Sequence, residues 1–193
     1  MPRAGLTADR LTLAAAEVAD EQGVEAVTAS SLARHFSVRT ASVYAHVGGT
    51  PDLRRRVALL ALAESADRLA TALAGRSGRD ALVALGDTYR AYARQHPGRY
   101  AAMRVPLDAA TAAASAGPRH ADLLRAVLRG YHLDADHQTH AVRLVGSLVH
   151  GFTSLELGGG FDHSAPDAAT SWAAILDAVD ALLLTWPTTG DHP

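Results

Sequence analysis

The chain has 193 residues, no cysteine and a net charge of -2, and it is 48% apolar but only 5% aromatic. Disulfides and thiolate metal sites are thereby excluded, and so is a polycation that binds nucleic acid over its whole surface. A core that must be made of Ala, Leu and Val, with Gly and Pro gathered at a few points, favours helices.

Asp9 and Arg10 stand where a secretory signal would place its apolar run, and no stretch of about 18 uncharged apolar residues follows; the expected location is the cytoplasm, without a membrane span. A first helix is marked by Thr7 as N-cap, by Asp9 in its first turn, by an apolar stripe at Leu11, Ala14, Ala15 and Val18, and by Gly23 as its stop. Thr28 caps a short second helix whose buried side is Leu32, Ala33 and Phe36. Residues 37–40 break that pattern, and a third helix begins with Val43 and Val47 pointing one way.

Between Glu25 and Asp52 there is no acid, while Arg34, His35, Arg39 and His46 occur and Arg54, Arg55 and Arg56 follow at once. Two short helices about a tight turn, on a locally basic segment, suit a helix-turn-helix. That motif presents its second helix to the major groove and its flanks to phosphates. Val43 and Val47 then anchor the helix, Arg39, Thr40, Ala41, Ser42 and Ala45 face DNA, and Tyr44 and His46 serve as phosphate donors.

Gly48-Gly49 closes the third helix, and Thr50-Pro51-Asp52 opens a long fourth one as N-cap, first-turn Pro and first-turn acid, running towards Leu73. After a loop at 75–78, Leu82, Leu85, Tyr89, Tyr92 and His96 repeat at helical spacing until His96-Pro97-Gly98 breaks the pattern before a short segment around Tyr100 and Met103. The Ala-rich stretch 106–118 reads as a loop with some helix. A helix over 119–129 follows, then a long one capped by Asp134, a stop at 158–160, and a last helix from Trp172 to Trp186 before Pro187. This makes an all-α chain of about nine helices, with neither a repeat of 20–50 residues nor strand-like alternation.

From RAGLTADRLTLAAAEVADEQGVEAVTASSLARHFSVRTASVYAHVGG into the fourth helix, the first 60 or so residues resemble the TetR family of transcriptional regulators, most specifically in SVYAHVGG. The resemblance implies that Tyr44 is an aromatic on backbone phosphate and that the start of the second helix, Thr28 to Ser30, touches DNA. Two positions depart from the family. A Lys common at the entry to the fourth helix is replaced by Thr50 or Pro51, and Arg39 stands where Ser or Thr is usual, open to either a phosphate or a guanine contact. HPGRYAAMR at 96–104 and LVHGFTSLELGGGF at 148–161 resemble the WHG-type TetR C-terminal class, without the Trp expected near Gly146. This implies a helical ligand-sensing domain whose last two helices form a dimer.

The residues support that independently. Trp172, Ile175, Val179, Leu182 and Trp186, with Leu176 and Leu183, cover an arc too wide for burial against one neighbour, and with Val145 and Leu148 they are the expected homodimer interface. Tyr89, Tyr92, Tyr100, Met103, His150 and Phe152 are the expected ligand-pocket residues, polar-tipped aromatics and a Met on inward-facing helices. Asp136 and His140, four apart with His132 and His137 nearby, are spaced as a divalent ion would need, but Asp134 and Asp136 suit the N-terminal turn of a helix better. No Ser-His-Asp order, glycine-rich phosphate loop or carboxylate pair stands out. No metal, cofactor or enzymatic activity is therefore expected.

The expectation is a helix-turn-helix DNA-binding domain at 1–50 and a helical ligand-binding and dimerisation domain at 51–193. It would be a repressor released from a palindromic double-stranded operator by a small-molecule effector. The alternatives are a ligand-independent DNA-binding activator, or a helical small-molecule-binding protein or enzyme.

Overall fold

A computed structural model describes residues 5–186, and among these it contains helices and no strand. Pro187, read as the stop of the last helix, lies outside them. The chain folds as two compact units, one running to Ser65 and taking in Gln95–Gly117, the other made of Ala66–Arg94 and the residues from Pro118 on.

In the first unit, α1 (Ala8–Gln22) is capped by the Thr7 hydroxyl and stopped at Gly23, as its sequence predicts. After a 3-10 turn come α2 (Ala29–His35), α3 (Thr40–Tyr44) and the first part of α4 (Thr50–Leu73). Leu11, Val18, Val27, Leu32, Val43 and Val57 fill their common core. Gly49, at φ +97, makes the turn into α4, and its carbonyl accepts from Leu53 N–H at 3.0 Å, so Thr50 is the first helical residue and not the cap.

The same unit also holds α6 (Pro97–Ala102) and α7 (Ala109–Ala114), and Ala102 is part of the core just described. α6 lies so close to α1 that a Cβ on Gly98 would sit 1.8 Å from the Ala19 carbonyl oxygen; only glycine fits. Asp20 ties the two helices: it accepts from Arg99 N–H at 2.9 Å, has Arg99 Nε at 3.0 Å, and pairs with His96 Nδ1 at 3.0 Å. α7 is the helix beyond the nine expected, formed within the Ala-rich stretch where Asp108 accepts from Thr111 N–H at 2.9 Å.

The second unit contains the rest of α4 with α5 (Gly78–Gln95), α8 (Gly117–Leu128), α9 (Ala135–Leu157) and α10 (Ala168–Leu184). Asp134 and Asp167 cap α9 and α10 through His137 N–H and Thr170 N–H. Leu82, Leu85, Leu128, Val145, Val149 and Leu183 pack at its centre, with Phe152 and Trp172 among them. No helix among the described residues is long and apolar enough to cross a membrane.

A candidate nucleic-acid interface

The short segment around α2 and α3 is fixed by its own polar side chains. Thr28 Oγ1 accepts from Ser31 N–H at 3.0 Å while Ser31 Oγ accepts from Thr28 N–H at 3.0 Å, a reciprocal cap on α2. Thr50 Oγ1 accepts from Ala29 N–H, docking the start of α2 onto α4. α2 ends in a Schellman-type turn. Ser37 takes φ 53, and Val38 N–H returns to the Ala33 carbonyl at 2.9 Å. The turn leaves Arg39 extended, as N-cap of α3 with no capping hydrogen bond from its side chain.

α3 then separates its residues by face. Val43 and Val47 are buried, Thr40 is half-buried, and Arg39, Ala41, Ser42, Tyr44, Ala45 and His46 are exposed. Tyr44 is 57% exposed, and its ring edge passes 3.4 Å from where a Cβ on Gly49 would lie. Small side chains let such a helix lie close to base edges, and an Ala methyl can meet a thymine methyl. Thr28 is half-buried with its hydroxyl engaged in the cap, whereas Ser30 is exposed at the same helix start.

The arginines that follow are committed inside the protein. Arg54 pairs with Glu25 and donates to the Glu25 and Val27 carbonyls; Arg55 and Arg56 both pair with Asp52, which also accepts from Gly48 N–H at 2.9 Å. Burial works against the charge of Asp52, but the Gly48 N–H and the Arg56 and Arg55 guanidinium groups outweigh it and hold the carboxyl below its ordinary range. The basic character read from 54–56 is thus largely neutralised by partners of which one, Glu25, is 29 residues from Arg54.

The six residues expected around a ligand fall in both units. Tyr100 is buried on α6 and Met103 half-buried at its end, in the first unit. In the second, Tyr92 is fully buried with the Arg68 guanidinium 4.9 Å from its ring, and the Tyr89 hydroxyl bonds His120 Nδ1 at 2.8 Å. Phe152 packs against Trp172 and Phe161 with ring centroids 4.9 and 4.8 Å apart, and His150 is half-buried one turn before Ser154. Sequence reasoning missed Arg90, whose guanidinium pairs with Glu156 and lies 5.7 Å from the Trp172 ring centroid. The bond to Glu156 raises the pKa of Arg90, and lowers that of Glu156 in turn, so the pair stays ionised.

Of the expected dimer residues, Val145, Trp172 and Val179 are buried in the core of their own unit, Leu148, Ile175 and Trp186 are partly buried, and Leu182 is exposed. Trp172 is enclosed because α5 supplies a second neighbour. Asp87 accepts from its Nε1–H at 2.7 Å, and a Cβ on Gly86 would fall 2.8 Å from its ring.

Residues 82–179 match the family model described as Tetracyclin repressor-like, C-terminal domain. The chain is 35% identical to an uncharacterized HTH-type transcriptional regulator of Mycobacterium tuberculosis over 151 residues, 77% of this chain and 69% of that protein. It is 30% identical to another such regulator, YobS of Bacillus subtilis, over 80% of this chain and 81% of that one. Its fold is similar to the crystal structure of the Streptomyces coelicolor TetR family protein ActR in complex with (S)-DNPA, at TM-score 0.67 and 20% identity, covering 95% of this chain and 100% of that chain.

Proposed function

We propose, for a chain that belongs to the TetR family of helix-turn-helix transcriptional regulators, the role of a repressor that leaves a palindromic operator when a small molecule binds. It is a DNA-binding transcriptional regulator by family, not an enzyme. The observation that supports DNA contact by this head is α3, a helix with two valines sunk in the core and a face of Arg39, Ala41, Ser42, Tyr44, Ala45 and His46 turned outward.

In this reading residues 1–50 meet DNA and residues 51–193 sense the ligand and dimerise, in the cytoplasm. Arg39, Thr40, Ala41 and Ser42 approach base edges or adjacent backbone, Tyr44 and His46 hold phosphates, and Ser30 and Thr28 add contacts from the start of α2. Of the six residues expected around a ligand, Tyr89, Tyr92, His150 and Phe152, all in the second unit, make the proposed effector site, while Tyr100 and Met103 belong to the first unit; the bound molecule in ActR supports a ligand in this fold. Leu182, with Ile175, Leu148 and Trp186 beside it, supplies the contact surface of a homodimer, while Val145, Trp172 and Val179 support that surface from beneath. Two-fold symmetry in the protein asks for two-fold symmetry in the operator. A ligand that fits only the conformation with wrongly spaced heads withdraws the dimer from it.

The test is binding of the purified protein to the DNA flanking its own gene across a salt series, beside an Arg39→Ala, Tyr44→Phe double variant. Tight, salt-sensitive, site-selective binding that the variant loses supports the reading. Equal weak binding by both proteins to that DNA, and to a duplex selected from random sequence, removes it.

A further inference from the structure

Beside α3 runs an open groove of about 570 Å³ whose walls come from three parts of the chain: Gly5 and Arg10 at the start of α1, Phe36 and Val38 in the turn, and Arg39 and Ser42 at the start of α3. Among the described residues that line it there are two guanidinium groups and no carboxylate. Arg10 is held in place before any ligand arrives. Its Nη1 donates to the Gly5 carbonyl at 2.9 Å, and its guanidinium lies 5.5 Å from the centroid of the Phe36 ring.

We infer that Arg10 and Arg39 form a clamp for the phosphate backbone of duplex DNA, with Arg10 acting from α1 and Arg39 from the entry to α3. This rests on the reading of α3 as the base-reading helix. Arg39 precedes the first turn of α3, so its side chain leaves from the rim that it shares with Arg10, while Ala41 and Ala45, outside the groove, occupy the exposed surface of the helix itself. Two cations contributed by different elements to the walls of one groove suit a strand of alternating sugars and phosphates passing between them. A guanine edge instead demands one fork aimed along the helix face. An aromatic face and a backbone carbonyl that fix the Arg10 guanidinium reduce the rotamer freedom lost on binding. The same placement decides between the two roles open to Arg39: it positions the head and does not read sequence.

Phosphate contacts have a signature that base contacts lack. Each one lost weakens binding to all sequences alike and lowers the slope of log affinity against log salt by about 0.9. The full-length protein and its Arg10→Gln, Arg10→Lys, Arg39→Gln and Ala45→Glu variants are titrated, from low to high salt, with a duplex selected by the protein from random sequence and with an unselected duplex of equal length. Arg10→Gln and Arg39→Gln are each expected to lose affinity equally on both duplexes, with the slope lower by about 0.9, and Arg10→Lys to recover the slope of the parent. A role confined to the Gly5 carbonyl and the Phe36 ring would leave the slope of Arg10→Gln unchanged, and that result overturns the clamp. Loss in Arg39→Gln on the selected duplex alone, with the slope kept, assigns Arg39 to a base and also overturns it. Ala45→Glu separates the two levels: a carboxylate on the α3 face abolishes binding if that face meets DNA. If it binds like the parent, the reading of the head fails first.

Discussion

Asp52 is the first acid after Glu25, and its partners come from both sides: Gly48 N–H from the end of the α3 segment, and Arg55 and Arg56 from the next turn of α4. One carboxylate thus closes the α3–α4 connection and settles two arginines. Asp52→Asn keeps the shape and removes the charge. At neutral pH it is expected to cost about 1–2 kcal/mol, the arginines being partly solvated, read as a lower urea midpoint. The pH dependence has a definite sign. The folded-state pKa lies below the ordinary 3.8, so the contribution of Asp52 is complete above 3.8 and fades as the pH falls through the lowered value. The gap between parent and variant therefore narrows below pH 3.8 and not above it. A gap that stays constant down to pH 2.5 would mean that the side chain's shape matters and its charge does not.

Among the elements, the ones with strictly local causes were legible in the sequence. Thr7, Thr28 and Asp134 cap the helices they precede, and Val43 and Val47 are buried at the spacing that predicts it. Thr28→Ala removes one arm of the reciprocal cap and is expected to cost about 1 kcal/mol of stability, measured by urea unfolding. The thermal or chemical midpoint should stay unchanged if the hydroxyl were only a DNA contact. What could not be read depends on residues far apart in the chain. Asp20 meets Arg99 across 79 positions, Trp172 meets Asp87 across 85, and neither pair leaves a periodic trace. For the same reason the wide apolar arc of α10 cannot be divided from sequence alone between a partner and its own unit, in which α5 encloses Trp172 and α9 carries Phe152 against it. The joining of α6 to α1 was equally hidden, since His96-Pro97-Gly98 reads as a simple helix break. In the fold Gly98 is a contact point against the Ala19 backbone. Gly98→Ala forces that contact apart and should cost about 3 kcal/mol, at the upper end of ordinary overpacking; a midpoint equal to the parent's would show that α6 is not held against α1.

For the whole molecule, the proposed homodimer is constrained by which leucines the second unit leaves outside. Leu182 is 44% exposed and Leu184 66% exposed on α10, and Leu155 is 57% exposed on α9, while Trp172, Val179 and Leu183 of α10 are buried. Leucine gains about 1.5–3 kcal/mol when fully buried, so covering Leu182 would favour the proposed dimer, which the proposed palindromic operator calls for; Leu184, two positions on, points about 200° round the helix and belongs to another face. Two substitutions distinguish surface from core. Leu182→Glu places a charge on the outside and leaves the internal packing alone. It is expected to halve the mass measured by sedimentation, to leave helix content intact, and to weaken operator binding through the lost second half-site. Trp172→Ala empties the core and should lower stability by about 3–5 kcal/mol, so that helix content and cooperativity fall together. If Leu182→Glu kept the parent's mass, the dimer would have to be sought on another face. If the parent itself sedimented as a monomer at micromolar concentration, the protein would have to bind single half-sites, and its operator would lose the reason to be palindromic.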